Sequence, residues 1–234
     1  MSADGSDSAT PGTPSPEPAP ATDDQDDAST DRLVTLTDGV VAIALTLLIL
    51  SIQVPSPRTL SDPNSVSQLA NALASSTVDS WISFVISFYV IAQFWLIHRR
   101  VFRGIREPRA GLAAWNFLFL ITISVMPFTS DLVGKWAENP LSVIIFSVNL
   151  ILANLAIYGM LTFSRRHRLL NTRGVAVLGR YESLEGAISI SFYVLAIPVA
   201  LVSPDVAKLC WLGLAIAPRL AARITKYRAG RHVA

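Results

Sequence analysis

Asp38 stands inside "TDGVVAIALTLLIL" and His98 near the end of "FVISFYVIAQFWLIH", so a carboxylate and an imidazole are embedded in two long apolar runs. Placing a carboxylate at the centre of a bilayer costs at least ~2.5 kcal/mol on insertion scales. Asp38 must therefore face protein and find a partner. Arg32, one to two helical turns earlier, is one candidate, and His98, at a similar depth in the second run, is another. Three uses fit this residue type at this depth: a bracing polar network, an ion ligand or proton carrier, or a first-turn acid favoured by the helix dipole. The residue alone does not choose among them.

Other chemistry lacks its parts. His98, His167 and His232 lie near or beyond helix ends, and the sequence holds no His-x-x-x-His pair and no Glu-rich cluster. Metal-assisted or nucleophilic catalysis would need such groups to converge, so neither an enzyme nor a bound cofactor is expected. Cys210 is the single cysteine, which forbids an intrachain disulfide and leaves a small packing residue in an apolar stretch.

The elements that must position these residues are membrane spans. Of 234 residues 51% are hydrophobic and the mean hydropathy is +0.46, well above an ordinary soluble domain. A hydrocarbon core about 30 Å thick takes roughly 20 helical residues. Six runs of that size are predicted, at 33–54, 79–102, 110–134, 140–164, 183–203 and 205–223. Residues 1–31 hold eight acids, no base and almost no large apolar group, and read as a disordered acidic, Pro/Ser-rich tail rather than a signal peptide. Residues 32–223 form the transmembrane domain and 224–234 a short basic tail. Between the first two spans, Val66, Leu69 and Leu73 are spaced for one short amphipathic helix, with a plain loop the competing reading.

Charge orients the bundle. The segments after the second, fourth and sixth spans, together with Arg32, carry sixteen Lys or Arg residues, whereas the opposite side has only Arg58, Lys135 and Lys208. This asymmetry predicts a multi-pass protein of the cell membrane with both termini in the cytoplasm. The basic runs flank spans and lack interleaved aromatics, so nucleic acid is not expected as a partner. Trp81, Trp95, Trp136 and Trp211 fall near span ends, where indoles anchor at the interface.

At 100° per residue, Gly39, Ile43, Thr46, Leu47 and Leu50 share one face of the first span, and Asp38 points away from it. In an arbitrary membrane protein such a stripe is more often lipid-facing or core than pore-lining, and periodicity does not decide it.

Three blocks bear on the choice. The first span opens Arg32-x-x-x-Leu36-Thr37-Asp38; the second ends Trp95-x-x-His98-x-x-x-Phe102; the third carries Asn116 followed by Pro127 and Thr129 in "NFLFLITISVMPFT". In this order they resemble the transmembrane-protein-175 potassium channels, whose hallmark is Arg-x-x-x-Phe-Ser-Asp; here Leu36 replaces Phe and Thr37 replaces Ser. The resemblance covers about residues 32–130, and beyond it only helix length and topology match. It implies an all-α membrane protein, a homotetramer of six-helix subunits in the lipid bilayer, in which the first helix of each subunit lines a central pore for potassium as permeant ion. On that template Ile43, Leu47 and Leu50 form apolar constrictions, with Ile43 the tightest, and Thr46 favours potassium. Arg32, Asp38, Trp95, His98 and Asn116 match the polar network that braces the pore helix.

The expected activity is passive, modestly selective cation flux gated by wetting and dewetting of apolar rings. The sequence has no TVGYG-like filter and no arginine-rich span of the voltage-sensor kind. The alternative is a proton-coupled secondary cation transporter using Asp38 and His98. Transporters usually show inverted repeats and spans broken near the midplane; here Pro127, Pro198 and Pro218 are the candidate breaks, and none adjoins Asp38 in sequence.

Overall fold

Helices account for the regular structure of the computed structural model, which describes residues 23–52, 55–62, 64–76, 78–105, 110–180 and 186–211; among these there is no strand beyond one isolated bridge, Ile105 to Leu170. In chain order they are α1 (Asp23–Leu47), α2 (Val66–Ser76), α3 (Val78–Phe102), α4 (Ala110–Lys135), α5 (Pro140–Arg166), α6 (Thr172–Arg180), α7 (Gly186–Ala200) and α8 (Pro204–Cys210). A 3-10 turn, Leu48–Ser51, continues α1, closed by the Ser51 hydroxyl donating to the Leu48 carbonyl at 2.7 Å, and a second lies at Pro57–Thr59.

Four helices are long and apolar enough to cross a membrane: Arg32–Ser51, Val78–Phe102, Gly111–Lys135 and Pro140–Arg166. They coincide with the first four expected spans. The fifth expected span, 183–203, is described from Gly186, as the 15-residue apolar helix α7. The sixth, 205–223, is described only as far as Trp211, and Pro218 lies outside the described residues. Residues 201–203 make the turn between α7 and α8, within two residues of the hairpin expected at Ser203–Asp205. The short amphipathic helix expected between the first two spans is present as α2.

α1 starts at Asp23, inside the segment expected to be disordered up to residue 31. Asp23, Asp24, Asp26 and Asp27 stand in its first turns, where the positive end of the helix dipole favours carboxylates. The helical boundary is therefore earlier than composition suggested; residues 1–22 lie outside the described residues, as does the basic tail.

α4 is the centre of the packing, touching α1, α3 and α5, while α5 in turn packs on α7 and α8. Small residues bring α3 and α4 close at one end. The Ser83 hydroxyl donates to the Ser130 carbonyl at 2.6 Å, and the ideal Cβ position of Gly134 lies 3.1 Å from the Cα of Ser80. In a bilayer, where water does not drive helices together, such close approach and interhelical hydrogen bonding supply the association. Asn149 on α5 donates to the Thr122 carbonyl of α4 at 3.0 Å, next to the turn where Pro127 removes the bond to the Ile123 carbonyl. Trp211 is not an interfacial anchor: it is buried against Phe146, with ring centroids 4.4 Å apart, and its indole N–H donates to Ser147 Oγ at 2.9 Å. Trp81 and Trp136 are exposed, as an interfacial position requires.

Candidate pore helix and its polar brace

α1 has two unlike faces. Thr37, Val41, Ala44, Leu48 and Ser51 are buried against α3 and α4, recurring at helical spacing. Gly39, Ile43, Thr46, Leu47 and Leu50 lie together on the uncovered side, with Leu36 beside them. The contrast is large: Ile43 is 60% and Leu50 72% exposed, against 3% for Val41 and 0% for Leu48. Of the four long spans α1 has the smallest buried share. The stripe predicted from 100° spacing is thus one continuous open surface. Within it the Thr46 hydroxyl donates to the Ile43 carbonyl at 2.8 Å. Its hydrogen is committed to its own helix, so toward the open side Thr46 presents oxygen lone pairs, which suit a cation.

The buried face is held by directional bonds. His98 on α3 and Asn116 on α4 are fully buried, and His98 Nε2 lies 2.7 Å from Asn116 Oδ1. Asn116 Nδ2 donates to Thr37 Oγ1 at 3.1 Å, and the Thr37 hydroxyl donates to the Leu33 carbonyl at 2.8 Å. The hydroxyl has one hydrogen, and the Leu33 carbonyl is nearer than Asn116 Oδ1 at 3.3 Å. Consistent donation along the chain then makes His98 Nε2–H the donor to Oδ1. Phe102 and Phe119 enclose the imidazole, with centroids 4.4 and 5.0 Å away, so the ring cannot swing without opening the core. One hydrogen-bonded line therefore ties α3 to α4 and α4 to α1.

A second tie runs beside it. The Trp95 indole N–H donates to Asp38 Oδ1 at 2.7 Å, and the Arg99 guanidinium carbon lies 4.9 Å from the Trp95 ring centroid. The carboxylate thus has its protein partner in an indole of α3, rather than in Arg32 or His98.

Of the expected network the structure brings together Asp38 with Trp95, and His98 with Asn116. It does not bring in Arg32, which is exposed and bonds to none of the other four. Six residues at 100° each put Arg32 about 120° around the helix from Asp38, which accounts for the separation. Thr37 was not among the expected network residues, although it is the hydroxyl through which α1 is held. Its place in the run Thr37, Val41, Ala44, Leu48 was the available signal, because that spacing marks the buried face.

Full-length apolar helices packed through buried polar and small residues define a polytopic helical membrane protein. Residues 32–127, which carry the first two long spans, most of the third and every member of the brace, match the family model described as "Endosomal/lysosomal potassium channel TMEM175". A potassium channel of Chamaesiphon minutus is 32% identical over 48% of this chain and 53% of its own length, and one of Streptomyces collinus is 31% identical over 46% and 49%. The chain spans about half the length of these curated relatives. The crystal structure of a lysosomal potassium-selective channel TMEM175 homolog from Chamaesiphon minutus superposes with a TM-score of 0.67, covering 84% of this chain and 98% of that one at 22% identity. The fold is shared well beyond the segment matched in sequence.

Proposed function

We propose that this chain is a subunit of a potassium-permeable cation channel, a homotetramer whose pore is lined by the open face of α1. The observation that carries this reading is the pairing of an uncovered stripe with a rigid back. A helix bonded through Thr37 and Asp38 to two neighbouring spans keeps its front at a fixed angle to the bundle. That front mixes Gly39 and Thr46 with Ile43, Leu47 and Leu50. Lipid contact makes no use of a glycine or a hydroxyl, whereas close packing of copies around an axis does.

In such an assembly each of Ile43, Leu47 and Leu50 repeats as a ring of four. Apolar rings exclude water when narrow and admit hydrated or partly hydrated cations when slightly wider, so a small tilt of α1 gates the pore. Ile43 forms the tightest ring. Thr46, one turn away and presenting oxygen, favours potassium modestly. The charge asymmetry supports a multi-pass protein of the cell membrane with both termini in the cytoplasm. No cofactor enters this mechanism. The transporter alternative gains no support from the geometry, since Asp38 and His98 belong to separate hydrogen bonds with fixed partners.

The test is passive flux. Purified protein in liposomes should carry potassium down its gradient with no proton gradient imposed. Flux that appears only when protons move in the opposite direction would replace the channel by an antiporter.

A further inference from the structure

We infer that the groove between α4 and α5 holds one anionic phospholipid per subunit, its phosphate at Arg166 and an acyl chain along Leu118, Leu152 and Leu155. The groove has a volume of about 640 Å³, with Trp115 and Phe163 completing its walls. Its depth comes from Gly159, where any Cβ would run into the Trp115 ring. Leu152, Leu155 and Trp115 are partly exposed along it. From Leu152 to Arg166 is 14 residues of helix, about 21 Å at 1.5 Å per residue. One leaflet of hydrocarbon is roughly 15 Å deep. The groove is therefore long enough for an acyl chain with its headgroup level with Arg166.

The charged end is built in advance. α5 closes with the Leu169 N–H bonded to the Ser164 carbonyl at 2.9 Å and the Arg168 N–H to the Arg165 carbonyl at 3.1 Å. In this closure the residue after the cap is left-handed and is usually glycine. Here it is Arg168, at φ 58°, the one non-glycine positive φ among the described residues. His167 is fixed too, its Nδ1 2.9 Å from the Phe163 carbonyl and its ring tilted against Phe163 with centroids 4.1 Å apart. A clasp then adds the loop after α3: Asn171 Nδ2 donates to the Arg103 carbonyl at 3.1 Å, the Asn171 N–H to the Gly104 carbonyl at 2.9 Å, and Gly104 lies against Gly174 too closely for a side chain on either. Arg166 and His167 line the groove at this end, and no acid among the described residues pairs with Arg166.

Charge complementarity selects the occupant. Copies related by an axis along the membrane normal sit at equal depth, so a second subunit in this groove would bring its own arginines to the level of these. A phospholipid supplies the anion and the apolar tail together.

Native mass spectrometry of the full-length protein in detergent tests this, with dioleoyl phosphatidylglycerol, dioleoyl phosphatidylcholine and glycerol 3-phosphate as probes. One phosphatidylglycerol per subunit is expected, retained roughly tenfold more tightly than phosphatidylcholine, and no retained glycerol 3-phosphate. Arg166→Gln, an exposed change, should remove that preference, and Leu155→Trp should weaken both lipids by filling the groove. Equal retention of the two lipids, indifference to Arg166→Gln, or equal binding of glycerol 3-phosphate would each overturn the inference. So would subunit-to-subunit cross-linking through Leu155→Cys in a Cys210→Ser background, which would seat a second copy there.

Discussion

Asn116 stands between a ring nitrogen on one span and a hydroxyl on another, so Asn116→Ala leaves His98 Nε2–H and the second face of Thr37 without buried partners. Each buried polar group stranded in this way costs about 1–3 kcal/mol. The variant should therefore lose several degrees of thermal stability in detergent, followed by tryptophan fluorescence. Thr37 offers a cleaner comparison. Thr37→Val keeps the shape and removes the hydroxyl, whereas Thr37→Ser keeps the hydroxyl; the first should destabilise by about 1–3 kcal/mol and the second by much less. Equal losses would mean that packing rather than hydrogen bonding holds α1. Most of the brace was legible in the sequence because an ionisable or amide side chain in an apolar span must find a polar partner. Which partner it finds was not, since spacing along one helix says nothing about where a neighbouring indole points. That is why Arg32 and His98 are the candidate partners that depth alone offers Asp38, whereas Trp95 of the same expected network holds it, and why Thr37, a hydroxyl of ordinary appearance, gives no comparable signal.

The two faces of α1 respond differently to the same chemical change. At Gly39 no atom of the subunit lies within 4 Å of an added Cβ. Gly39→Ala should leave the isolated subunit as stable or up to ~1 kcal/mol more so, through helix propensity. In the proposed tetramer that added methyl faces the axis or a neighbour, so assembly or conductance should fall while subunit stability does not. Size-exclusion mass and liposome flux, measured together, separate the two effects. Gly104→Ala and Gly174→Ala should behave oppositely: each forces apart main chains already in contact, so both should destabilise the clasp. The four long spans could be read directly from apolar length. The clasp and α6 could not, because the pairing of the loops after α3 and α5 runs through main-chain groups, two glycines and the Asn171 amide, which leave no periodic pattern, and because the arginines there read as loop charge. The early start of α1 was hidden for a related reason: Asp-rich composition speaks against a core, yet acids favour the first turns of a helix.

At the scale of the whole molecule, the subunit leaves one face of its first span uncovered while fixing the other to two neighbours, and the proposed tetramer turns that face inward. The six-helix expectation rested on apolar run length and is seen in full for four spans. Assembly left no mark in the sequence that periodicity could decode, because an apolar stripe facing lipid and one facing a pore obey the same 100° rule. The most direct test places a single cysteine at Ile43 in a Cys210→Ser background and follows potassium flux in liposomes as a water-soluble, membrane-impermeant thiol reagent is added to both sides. The account predicts that Ile43→Cys raises basal flux by widening the ring and that modification then blocks it, whereas Val41→Cys on the buried face is untouched. An Ile43→Cys protein that reacts without loss of flux, or whose thiol is reached only by membrane-soluble reagents, would place that face in lipid and contradict the central claim.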